Sequence, residues 1–75
     1  MKTIEELLRE IRPEFDFTAS NDLIGDGMLD SYDVVTLVSE LDRNFGICIA
    51  GVDILPEHFQ NLASIQTLVR KYTAL

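Results

Sequence analysis

Tryptophan is absent from the 75-residue chain, and cysteine and histidine occur once each, as Cys48 and His58. A single cysteine cannot form an internal disulfide, so packing alone must hold a chain this short together. Proline is confined to Pro13 and Pro56, which leaves long stretches free to be helical. No apolar run approaches the ~20 residues needed to cross a bilayer. The opening residues carry no signal-like pattern, and a lone thiol suits a reducing compartment. A soluble, cytoplasmic, single domain over residues 1–75 is expected, with no membrane insertion.

Positive charge is also scarce: six Lys and Arg stand against thirteen Asp and Glu, for a net charge of −7. The shortage is concentrated in residues 13–57, where Arg43 is the one base among ten acids. Such a field repels nucleic-acid phosphates and anionic membranes. It favours a partner protein with a basic patch, or a cation.

What the chain does have is a core: 47% of its residues are hydrophobic. Ile4, Leu7, Leu8 and Ile11 form one apolar stripe, Thr3 and Glu6 a capping box before it, and Pro13 its end. A loop of about 16 residues follows, long for a compact domain. Phe15, Phe17, Leu23, Ile24 and Leu29 are expected to pin it to the core. A second helix is predicted over Ser31 to Phe45, stopped by Gly46. At 100° per residue, Val34, Leu37, Val38, Leu41 and Phe45 share its core face. Tyr32, Ser39 and Arg43 then point away, with Val35 and Thr36 flanking them. Ile47 to Ile49 read as a short extended piece. Pro56 suits the first position of one or two helical turns ending near Asn61. A last helix is predicted after Ser64 as cap, with Ile65, Leu68, Val69 and Tyr72 as its stripe. The fold class is therefore all-α: a small antiparallel bundle of three main helices and one short one.

The acidic loop invites a calcium reading. Counting from Asp22 places Asp26, Asp30 and Asp33 at ligand positions of an EF-hand loop and Gly27 at its turn. Ile24 falls at the third position, where it offers no oxygen, so no dedicated metal site is expected. Catalysis is not expected either. His58 sits in a polar turn and reads as a solvated residue, Cys48 reads as a core-edge filler, and a small bundle leaves little room for a substrate pocket.

Ser31 is different. Asp30 and Ser31 are ordinary residues for a helix start, yet a hydroxyl in the first turn lies near unpaired N–H groups and the positive end of the helix dipole. A phosphate ester is favoured there. Asp30 and Asp33 beside it are expected to be exposed and to face a partner, with Tyr32 and Val35 as exposed apolar neighbours.

The stretch "GMLDSYDVVTLVSELDRNFGICI" resembles acyl and peptidyl carrier proteins, in which Gly-x-x-Asp-Ser-hydrophobic opens helix two. The "ILPEHFQN" turn and the Ser64-led last helix are similar to that family's third and fourth helices. The resemblance implies that Ser31 receives 4′-phosphopantetheine from coenzyme A through a phosphopantetheinyl transferase. The thiol of that arm carries acyl or aminoacyl groups as thioesters. It also implies a monomeric, non-catalytic carrier that docks on basic patches of loading and transferring enzymes through Asp30, Tyr32, Asp33, Val35, Thr36 and Ser39. Tyr32 departs from the family's usual Leu, and Arg43 interrupts the acidic face. The compact "GMLDS" and the short turn after Gly46 look similar to D-alanyl carriers of teichoic acid modification. An unmodified helical interaction module of the same fold is the alternative.

Overall fold

Two reciprocal capping boxes and one left-handed glycine set the helix limits. The computed structural model describes residues 2–73, and its order is α1 (Ile4–Ile11), α2 (Ser31–Phe45) and α3 (Leu62–Thr73), with single 3₁₀ turns at Phe17–Ala19, Gly51–Asp53 and Pro56–Phe59. There is no strand among the described residues. At α1, the Thr3 hydroxyl accepts from the Glu6 amide at 3.2 Å and the Glu6 carboxylate accepts from the Thr3 amide at 3.0 Å. The helix closes at Arg12, immediately before Pro13, whose ring disfavours a helical residue ahead of it. Gly46 ends α2 at φ 64°, ψ 38°, a left-handed conformation that glycine adopts without steric cost.

The helices bury one core. Leu7 and Leu8 of α1 meet Leu37 and Leu41 of α2 and Ile65 of α3, all fully inaccessible to water. The radius of gyration, 11.3 Å, is that of a fully folded chain of this length, about 11 Å. Residues 12–30 are pinned as expected. Phe17, Leu23 and Leu29 are buried, while Phe15 and Ile24 pack on the core from its edge. The Leu23 amide also donates to the Gln60 carbonyl at 2.7 Å, tying this loop to the chain ahead of α3.

Four expectations need correction. The last helix starts three residues earlier than predicted: the Asn61 side chain accepts from the Ser64 amide at 2.8 Å, so Asn61 caps and Ser64 lies inside the first turn. The Pro56 segment, expected to make one or two helical turns ending near Asn61, makes a single 3₁₀ turn ending at Phe59. Cys48 is exposed, because its neighbour Ile49 takes the inward position. His58 is half-buried, with Nδ1 donating to the Asp53 carbonyl at 2.7 Å. Asp53 anchors that region to α3 by accepting from the Tyr72 hydroxyl and from Lys71 Nζ. These two donors, Tyr72 first, hold the Asp53 carboxyl below the ordinary range.

Candidate functional site

Asp30 and Ser31 fall where an extended loop turns into a 15-residue helix. Asp30 is the N-cap, with φ −105° and ψ −178°, and Ser31 is the first helical residue. The cap is closed without help from serine. Asp30 Oδ1 accepts from the Asp33 amide at 2.8 Å, and Asp33 Oδ2 accepts from the Asp30 amide at 3.2 Å. Ser31 is exposed, its hydroxyl free of the capping duty that would account for a serine here.

Around it, the side chains assigned to docking divide into two groups. Tyr32 and Val35 are exposed apolar groups, 78% and 61% accessible, and Asp30 and Ser39 are exposed as well. Thr36 is half-buried, with its hydroxyl donating to the Tyr32 carbonyl at 3.1 Å. Asp33 overturns the expected surface position: only 5% of it is accessible. It is drawn inward because Arg12 Nε donates to its Oδ2 at 2.9 Å. A buried carboxylate requires such a partner.

Arg12 is thus the residue of the candidate site that the sequence pattern did not single out. A signal was present, since Asp33 precedes Leu37 and Leu41 by four and eight residues and so stands on the core stripe. An acid on that stripe calls for a base from another element. Arg12 also reaches Asp30 Oδ2 and Glu14 Oε2, each at 3.4 Å. Its guanidinium is held above its usual pKa, first by the hydrogen bond to Asp33 and then by the charge of Asp33.

The four acids of the calcium reading do not converge. Asp22 Oδ1 accepts from the Gly25 amide at 3.0 Å, Asp26 accepts from the Ser20 hydroxyl, and Asp30 and Asp33 close the helix cap. Among the described residues, no three His, Cys, Asp or Glu side chains are grouped to hold a metal ion. An open groove of about 760 Å³ lies between Ile4, Phe45, Leu62 and Val69. Phe45 is the last residue of α2, about 21 Å along the helix from Ser31, so the groove is remote from the hydroxyl. No helix among the described residues is long and apolar enough to cross a membrane.

No family model, curated protein or solved structure matches the chain.

Proposed function

We propose that the chain is a carrier protein, modified at Ser31 with 4′-phosphopantetheine and not itself an enzyme. The observation that supports this is the division of labour at the start of α2. Asp30 and Asp33 complete the cap, leaving the Ser31 hydroxyl exposed and uncommitted. A phosphodiester suits that position, because the first-turn N–H groups and the helix dipole both favour an anion. The residues present fit the group.

In the modification, Ser31 Oγ forms a bond to the phosphorus that bears the pantetheine arm of coenzyme A. The pyrophosphate bond breaks, 3′-phosphoadenosine 5′-phosphate leaves, and the hydroxyl proton passes to a base of the transferase. The arm supplies a thiol for thioester formation. The chain contributes the nucleophilic oxygen, an ordered helix start and a docking face. Tyr32 and Val35 give that face an apolar centre, and Asp30 and the surrounding acids give it a negative border suited to basic patches. The same reading takes the Pro56–Phe59 turn as the short helix of an antiparallel four-helix arrangement. The cargo, whether fatty acyl, polyketide, aminoacyl or D-alanyl, is chosen by the partner enzymes.

Incubation with coenzyme A and a broad-specificity phosphopantetheinyl transferase, followed by intact-mass measurement, tests the proposal. The expected result is a gain of one phosphopantetheinyl group in the native protein and none in Ser31→Ala. No gain, or an equal gain in the variant, removes the carrier reading and leaves an unmodified interaction module.

A further inference from the structure

Arg12 closes α1 with its backbone, its amide donating to the Leu8 carbonyl at 2.8 Å. Its side chain leaves that fixed point and reaches the first turn of α2, where Nε meets Asp33 Oδ2 at 2.9 Å. The same Oδ2 accepts from the Asp30 amide at 3.2 Å. One carboxylate oxygen therefore joins the end of α1 to the capping box that encloses Ser31 and Tyr32.

We infer that Arg12 is a positioning residue for the modification of Ser31: by holding Asp33 inward it orders the first turn of α2 in the form that a transferase must grip. The inference rests on the carrier reading of Ser31. Without the guanidinium, the Asp33 carboxylate is left nearly dry and unpaired, and it is driven to turn toward water. Turning it outward withdraws the acceptor from the Asp30 amide and opens half of the box. Asp30 cannot supply that acceptor itself, because its Oδ1 already accepts from the Asp33 amide at 2.8 Å. The hydroxyl chemistry of Ser31 is untouched by this change. What falls is the fraction of molecules with an ordered helix start, and apparent affinity falls with that fraction.

The test compares the native chain with Arg12→Gln, Arg12→Lys, Asp33→Asn and the Arg12→Gln/Asp33→Asn double variant. Two quantities are measured: transferase kcat and KM, and amide exchange at Asp33 and Val34 relative to Leu37 and Leu41. If the first turn of Arg12→Gln is ordered about a tenth of the time, KM rises about tenfold while kcat stays within about twofold. Exchange at Asp33 and Val34 should quicken, with Leu37 and Leu41 unchanged. The double variant should be no worse than Arg12→Gln, because Arg12 acts through Asp33. Arg12→Lys, which keeps the charge but offers no fork, should fall between native and Gln, and it carries the comparison if Arg12→Gln does not fold.

Native KM and native exchange in Arg12→Gln, or fully additive effects in the double variant, overturn the inference. If the native chain takes no modification while exchange still quickens in Arg12→Gln, the carrier reading fails and only the ordering of the turn by Arg12 stands. Modification with equal KM in every variant is the opposite result: the carrier reading survives and the positioning role does not.

Discussion

Arg12 and Asp33, 21 positions apart in the chain, join the end of α1 to the first turn of α2 through a 2.9 Å hydrogen bond from Nε to Oδ2. Asp33 is buried and serves two donors, the Arg12 side chain and the Asp30 amide. Replacing it with alanine removes a capping-box acid and strands Arg12 without its main partner. Asp33→Ala should cost about 1–3 kcal/mol in urea denaturation. Asp30→Asn should stay within about 0.5 kcal/mol, because asparagine caps as well as aspartate. Equal losses in the two variants would show that the inward Asp33 contact contributes nothing.

Leu41 tests the core face of α2. It is fully buried, one turn beyond Leu37 and Val38, where the helix meets α1 and α3. Leu41→Ala should lower stability by about 2–5 kcal/mol, through lost burial and the cavity left behind. On the carrier proposal, Ser31 modification measured well below the melting transition should keep its native rate, because the helix start lies at the other end of this face. A variant with native stability would put Leu41 outside the core.

Gly46 offers a cleaner backbone test. A Cβ at this position meets no atom within 4 Å, so substitution is opposed by conformation and not by contact. With φ at 64°, Gly46→Ala should cost about 1–2 kcal/mol. Gly46→Asn should cost less, since asparagine enters the left-handed region more readily. Thermal melts of the pair, read against each other, isolate the strain.

Helix positions were legible where local signals agreed. Thr3 with Glu6, Pro13, Asp30 and Gly46 each act within a few residues, and each marks a helix end in the structure. The apolar stripe of α2 was legible for the same reason, since its period is set by the helix itself. The errors fell where a distant group decided the outcome. Asp33 reads as a surface acid until Arg12 arrives from another helix, and His58 reads as solvated until the chain folds the Asp53 carbonyl against it. Ser64 has the chemistry of a cap, but Asn61 precedes it and supplies a side-chain oxygen one turn earlier. Ser31 was legible as a candidate only through its motif. Its freedom from capping duty is a property of the three-dimensional arrangement.

Asp53 supplies a prediction about pH. Its carboxylate accepts from Tyr72 and Lys71, and its folded pKa lies below the ordinary carboxylate value. A group with a depressed folded pKa stabilises the protein above its unfolded value, here about 3.9, and loses that contribution as pH falls through the depressed value. Asp53→Asn keeps the shape of the side chain and removes the charge. It should melt at a lower temperature than the native chain at neutral pH. The gap should narrow as pH falls below about 4, because protonation gives the native Asp53 a neutral side chain resembling asparagine. The other acids titrate in both proteins, so the difference between the two melting curves isolates this one group. A gap that stays constant down to pH about 2 would mean that the Tyr72 and Lys71 contacts act through packing and not through the charge of Asp53.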